Sequence, residues 1–170
     1  PPALERVFEV EQSISLDCYY LSRAWVAGLP LYDAIQEYGA DCCRDYLKRL
    51  LVGLQYLHRQ GLVHRSINPR NIICGERTAA MIGFSGLPTK VFSSHDLAYV
   101  DPQVGEFGWS PESDLYSLFA SILLSVTGED SISALSERQF DSLRSSLGDS
   151  TVEKIRSFLT VLYSCPPSKK

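Results

Sequence analysis

His64-Arg65-Ser66-Ile67-Asn68-Pro69-Arg70-Asn71 is the stretch around which the rest of the chain is read. It is a loop rich in cationic and amide side chains, and it contains no acid. The gap is wider than the loop: no Asp or Glu occurs between Asp45 and Glu76, nor between Glu76 and Asp96. A serine hydroxyl at position 66 has no pKa near neutrality and carries no charge, so it cannot serve as a general base. Asn71 alone is a poor metal site, because magnesium takes oxygen ligands and normally draws on one or two carboxylates. Arg59, Arg65, Arg70 and Arg77 flank the acid-free region; a solvated face is the default reading of such a cluster, with an anion site as the alternative.

Outward from the loop, the pattern alternates short strands with helices. On the N-terminal side, Val7–Val10 and Cys18–Arg23 read as strands of a small hairpin about a polar turn at Glu11–Ser15, with Gly28 and Pro30 closing the second run. Leu31–Tyr38 has helical spacing ended by Gly39. Asp41 is expected to cap a longer helix with apolar positions at Tyr46, Leu47, Leu50, Leu51, Leu54 and Leu57, stopped at Gly61. On the C-terminal side, Ile72–Cys74 and Ala79–Ile82 form a second hairpin around Gly75. Residues 83–103 show no sustained period and read as a loop. A strongly apolar helix is expected to start at Ser113 and Asp114 and to stop at Gly128, buried on most sides. Two amphipathic helices follow, roughly Ser133–Leu147 and Thr151–Tyr163, before Pro166-Pro167. No internal repeat or low-complexity tract appears.

Composition bounds the function classes. A chain of 170 residues, 45% hydrophobic and 21% charged, can bury one good core as a single globular domain. The net charge of −4 argues against a nucleic-acid binder, which needs a basic face to neutralise phosphates. Cys18, Cys42, Cys43, Cys74 and Cys165 form no C-x-x-C pair and are odd in number, which fits reduced thiols in a cytoplasmic setting. The apolar run Leu118–Val126 is far short of the ~20 residues a membrane span requires. The first residues lack the basic-then-apolar pattern of a signal peptide.

Taken together, these elements and motifs resemble the large lobe of a eukaryotic-type protein kinase, entered at the last strands of the small lobe. His64 to Asn71 is similar to H-R-D-L-x-x-x-N, with Ser66 at the position of the catalytic Asp. Ile82-Gly83-Phe84-Ser85 sits where I-D-F-G would be, with Gly83 at the position of the metal-binding Asp, and the alternative register Phe84-Ser85-Gly86 supplies no acid either. Tyr20 to Gly28 looks like the fifth strand and hinge. Tyr99-Val100-Asp101-Pro102-Gln103 stands where A-P-E ends the activation segment, and Ser113 to Leu118 resembles S-D-V-W-S-L. Nothing resembles the Gly-rich loop, the V-A-I-K lysine or the helix whose Glu pairs with it.

The resemblance implies a mainly α fold, α+β overall, with residues 1–27 as remnant small-lobe strands and hinge and 28–170 as the large helical lobe of one domain. It implies that Asp114 accepts hydrogen bonds from the backbone near His64 and Arg65, the alternative being a plain helix N-cap. It places His64 and Phe84 in a stacked spine, and Arg23 at the gatekeeper. It gives Arg65 a phosphate-binding role toward a modified Ser93 or Ser94, two serines that otherwise read as solvated. Ala24 and Val26 would offer backbone groups to an adenine. Gln103 replaces a glutamate that pairs with an arginine near the domain's end. His58 and His95 show no metal-ligand spacing. The expected function is that of a catalytically inactive pseudokinase, with no metal or cofactor, binding a protein or a neighbouring domain of the same polypeptide as a scaffold or regulator, with neither nucleic acid nor membrane as partner. Phe107 and Trp109 are the candidate anchors, Trp109 because Gly108, Ser110 and Pro111 suggest an exposed turn, whereas Tyr116 reads as core. The alternative is an unconventional kinase or nucleotidyl transferase that takes acids from a missing segment or another chain. A purely structural remnant is the third reading.

Overall fold

The computed structural model describes residues 3–4, 7–13, 18–84 and 96–164, of which 7–13, 18–23 and 163–164 as backbone only. Strands β1 (Val7–Ser13) and β2 (Cys18–Arg23) pair antiparallel, with Val10 opposite Leu21 and Ser13 opposite Cys18. The turn expected from Glu11 therefore begins later: Glu11, Gln12 and Ser13 each have a partner in β2. A second antiparallel sheet has the order β3 (Leu29–Pro30), β4 (Ile72–Gly75), β5 (Thr78–Met81). Leu29 and Pro30 do not merely close the preceding run, because they pair with Cys74 and Ile73. Proline is tolerated there because β3 is an edge strand. On the far side, Ala3–Leu4 lies along β5, and Met81 N donates to Ala3 O at 2.8 Å.

Helix α1 (Leu31–Tyr38) buries Leu31, Ala34 and Ile35, and Gly39 at φ +84° ends it. Asp41 does not cap the next helix; it lies inside a 3₁₀ turn, Ala40–Cys42, that leads directly into α2 (Cys43–Arg59). The α2 face made by Cys43, Tyr46, Leu47, Leu50, Leu54 and Leu57 is buried. Gly53 belongs to that face because a Cβ there would lie 3.0 Å from Ala3 Cβ and 3.1 Å from Met81 Cε. Glycine lets the helix approach the sheet edge at some cost in propensity.

Within the stretch expected to be loop, residues 97–99 form a 3₁₀ turn, and just beyond it Val104–Phe107 is a short helix, α3. Helix α4 (Pro111–Thr127) starts earlier than Ser113. Ser110 is its N-cap and exchanges side-chain hydrogen bonds with Ser113 in a capping box, with Pro111 favoured at the first helical position. Asp114 is thereby freed from capping. Helix α4 runs through the core, with Leu118, Ala120 and Ile122 fully inaccessible. Its buried serines stay satisfied within the helix: Ser117 and Ser121 donate to the carbonyls four residues back at 2.9 and 2.7 Å. The expected helix start at Ser133 is instead a 3₁₀ turn, Ile132–Ala134, after which Ser136 caps α5 (Glu137–Leu147). Helix α6 (Asp149–Ser164) packs on α5 through Leu143, Leu147, Val152, Ile155 and Leu159. No described helix is long and apolar enough to cross a membrane.

Candidate functional site

The loop from Leu62 to Asn71 joins α2 to β4. Gly61, at φ +70°, reverses the chain after α2, its amide donating to His58 O at 2.9 Å. At the other end, Asn68 Oδ1 accepts from Arg70 N at 3.0 Å and Asn71 N at 3.1 Å, which winds Pro69–Asn71 into a 3₁₀ turn. Between these fixed ends Arg65 takes φ +68°, alone in that region among described non-glycine residues. The left-handed conformation costs an L-residue roughly 1–2 kcal/mol. Asp114 supplies the restraint that holds it. Its fully buried carboxylate accepts from His64 N at 2.7 Å and Arg65 N at 2.9 Å, and His58 Nε2 lies 2.9 Å from Oδ2. Hydrogen bonds to an ionised acceptor are about twice as strong as neutral ones. His58 is the member of this cluster that sequence reasoning missed. Its available signal was its place in Tyr56-Leu57-His58, at the end of the helix that delivers the loop.

On the side of the loop facing the second hairpin, the acid positions are knotted shut. Asn71 Nδ2 donates to Ser66 O at 2.7 Å and to Ser66 Oγ at 3.0 Å. Gly83 follows β5 at φ +75°, and a Cβ built on it would lie 3.0 Å from Asn71 Nδ2 and 3.1 Å from Asn71 Cγ. The glycine thus supplies both a backbone conformation that side chains avoid and the room that the Asn71 amide fills. Phe84 packs edge-to-face on the buried His64 ring, centroids 5.9 Å apart. These residues do not fit a magnesium ion: Ser66 and Gly83 bring no carboxylate, which leaves the Asn71 amide oxygen without an acid beside it.

The remaining candidates are spread more widely. Ala24 and Val26 are half-buried in the segment between β2 and β3, while Trp25 between them is 91% exposed. The Arg23 side chain, Ser85, Gly86, Ser93, Ser94, His95 and residues 165–170 lie outside the described residues. Arg59, Arg70 and Arg77 are exposed; Arg65 is half-buried, and its Nε is enclosed with no hydrogen-bond partner among the described residues. Gln103 Nε2 donates to Leu162 O of α6 at 2.6 Å, so a neutral hydrogen bond ties this segment to the final helix. Asp101, beside it, accepts from Gln103 N at 2.9 Å, and burial pushes its carboxyl above the usual range. Phe107 is exposed and Trp109 half-buried, so the turn at Gly108 displays Trp109 less fully than its neighbours suggested. Tyr116 is in the core.

A cavity of about 480 Å³ opens beside the loop, lined by Tyr32, Asn68, Arg70, Asp96, Tyr99 and Asp130 among others. Asp96 reaches the loop through Asn68, whose Nδ2 is 3.4 Å from Asp96 Oδ1. Burial raises the Tyr99 phenol, with Arg70 acting in the opposite direction.

This geometry has counterparts among known proteins. The fold matches the crystal structure of the Rad53 kinase domain and SCD2 with a TM-score of 0.63 at 22% identity, covering 100% of this chain and 68% of that one. The chain has a protein-kinase fold. In sequence it is 28% identical over 118 residues to the serine/threonine-protein kinase PEPKR2 of Arabidopsis thaliana, covering 64% of this chain and 25% of the relative. It is 30% identical over 86 residues to a probable serine/threonine-protein kinase, fhkC, of Dictyostelium discoideum, covering 49% of this chain and 14% of the relative. These alignments span a quarter or less of the relatives' own length. No protein-family model matches the chain.

Proposed function

We propose that this kinase-fold domain is catalytically inactive and serves as a protein-binding, scaffolding or allosteric regulatory module. The observation that carries the reading is the chemistry of Ser66, Asn71 and Gly83: both acid positions lack a carboxylate, and Ser66 and Asn71 are hydrogen-bonded to each other instead. Phosphoryl transfer is almost entirely positioning and charge stabilisation, so a loop without its base or its metal ligands has lost the parts that do the work. What supports a binding role is that the scaffold around these residues is intact, with the loop tied to α4 through Asp114 and residue 103 to α6. The partner is a protein or a neighbouring domain of the same polypeptide. Phe107 and Trp109 are its anchors, aromatic side chains on the connection into α4.

The alternative, an unconventional kinase or nucleotidyl transferase, has one observation in its favour: Asp96 is a carboxylate brought to the loop from the segment beyond it. Thermal unfolding of the 170-residue chain with ATP, with ATP and magnesium, and with ATP and chelator separates the readings, since a ligand bound only by the folded state raises the melting temperature. No shift is expected. A magnesium-dependent rise would overturn the inactive reading, and a chelator-insensitive rise would assign Ala24 and Val26 to metal-free nucleotide binding.

A further inference from the structure

Helix α2 carries the charge opposite to that of the chain. Its bases Arg44, Lys48, Arg49 and Arg59 are all exposed, and its one acid, Asp45, lies 3.2 Å from Lys48 Nζ. No acid follows until Glu76, although the whole chain is net negative at −4. Beside these cations the helix edge is apolar and open. A groove of about 630 Å³ runs between α2 and the start of α4, lined by Leu51, Val52, Leu54, Gln55 and Arg59 on one side and by Leu115 on the other. Val52 is 59% exposed, and Leu51 and Leu115 are half-buried. His58 also lines the groove, but its Nε2 is engaged by Asp114 at 2.9 Å. No acid is among the lining residues.

Lys48, Val52, Gln55 and Arg59 follow one another at intervals of four, three and four residues, which sets them in one stripe along the helix. The stripe is about 17 Å long at the helical rise, or three turns. A single exposed hydrophobe needs no explanation, and a run of cations is ordinarily a solvated face. Neither accounts for an apolar groove and a cationic edge on the same three turns. We propose that this groove docks an acidic amphipathic helix of a partner protein, with leucine-like side chains set against Leu51, Leu54 and Leu115 and with Asp or Glu facing Arg59 and Lys48. Helix-in-groove recognition needs apolar anchors repeating at three and four residues, and the groove has the length for them. Charge selects the sign of the partner, because a basic helix would meet like charge along the whole edge. Asp45 competes for Lys48, so Arg59 carries more of this selection. The chain's own residues 165–170 do not match, since they bring two lysines and no acid. Docking on α2 uses neither Ser66 nor Asn71, so the inference goes beyond the inactive reading and does not fall with it.

The test is fluorescence anisotropy of the 170-residue chain with a labelled synthetic helix of about 18 residues, leucine on one face and glutamate on the other, long enough to span the groove. A second peptide has lysine in place of every glutamate. The glutamate peptide should bind, more weakly as sodium chloride rises from about 50 to about 300 mM, and the lysine peptide should not. Arg59→Glu should weaken the glutamate peptide by at least about tenfold and let the lysine peptide bind. Val52→Glu should abolish binding of the glutamate peptide. Both positions are exposed, so both variants should keep the parent melting temperature, and two variants keep the test independent of either one's folding. Binding of neither peptide, equal binding of both, or glutamate-peptide binding undiminished in Arg59→Glu and Val52→Glu would overturn the proposal. So would capture by phosphatidylserine vesicles without binding of the peptide, which would make α2 a lipid-facing surface. Self-association of the chain alone in sedimentation velocity, lost in Val52→Glu, would overturn it as well by assigning the groove to a second copy.

Discussion

The loop between α2 and β4 is held at two junctions built in opposite ways. Where it meets α4, a buried carboxylate, Asp114, is surrounded by two backbone amides and an imidazole. Where it meets the residues after β5, no carboxylate is present, and Ser66, Asn71 and Gly83 close on one another. The difference separates two tasks that acids perform in one fold. A buried anion with full hydrogen bonding fixes backbone shape, and such a group is expensive to remove whatever the protein does. An anion that binds metal or accepts a proton must instead keep free valences. The first kind is present here, and residues 66 and 83 supply none of the second.

The sharpest way to break this comparison is to remove the retained anion. Asp114→Ala should destabilise the chain by about 3–5 kcal/mol in urea unfolding, because it strands two loop amides and releases the positive φ of Arg65. Asp114→Asn keeps an acceptor and should cost about half as much. A loss below about 1 kcal/mol for the alanine variant would mean that the loop is held by something else. At the other junction, Gly83→Ala should cost more than Gly61→Ala. Both residues have φ near +70°, but only the Gly83 position meets a neighbour, since nothing lies within 4 Å of a Cβ at Gly61. The common part is about 1–2 kcal/mol for the left-handed backbone. The excess at Gly83 measures crowding against Asn71, and it should vanish in an Asn71→Ala background if that contact is its source. Equal costs in both backgrounds would show that the knot is looser than its distances indicate.

How much of this was legible in the sequence follows from the kind of signal each feature leaves. Helix α4 was legible because a long run of Leu, Ile and Phe with few charges has one structural solution, and the hairpin at Gly75 because short apolar runs flank a polar turn. The boundaries were not: Ser110 and Ser113 are both residues that cap helices, and only the observed hydrogen bonds show that Ser110 is the N-cap. Leu29–Pro30 was hidden because a two-residue edge strand has no period, and Asp41 because cap chemistry is local while the 3₁₀ turn is set by packing. The pairing of Asp114 with the loop amides was readable only through the order of motifs, 50 residues apart. His58 was missed because nothing in spacing or composition distinguishes a histidine that faces a buried carboxylate from one that faces water.

A smaller effect sharpens the comparison at the end of the next segment. Gln103 stands where an acid is expected, and its amide reaches a carbonyl. Gln103→Ala should cost about 1 kcal/mol, the net worth of a hydrogen bond of this kind. Gln103→Glu should be at least as costly, because an ionised carboxylate facing Leu162 O has no proton to donate. A stabilising Gln103→Glu would reveal a cation able to pair with it and would make this junction resemble Asp114.

Asp101 gives the smallest effect and the one whose sign is least obvious. Burial raises its carboxyl from the ordinary value of 3.8, while the Gln103 amide works against that shift and Glu112 reinforces it. A folded-state pKa above the unfolded one means that the folded chain binds the proton more tightly. The contribution to stability is then greatest below about pH 3.8 and is lost as the pH rises through the folded value. At neutral pH Asp101 is a buried anion with a single amide donor shown, unlike Asp114. Asp101→Asn, which keeps an oxygen for the Gln103 amide, should therefore be neutral to stabilising at pH 7, with an advantage over the parent chain that shrinks as pH falls. If Asp101→Asn is instead destabilising at pH 7, the anion at 101 is a structural acid of the Asp114 kind, and the contrast between the two junctions extends to the end of this segment.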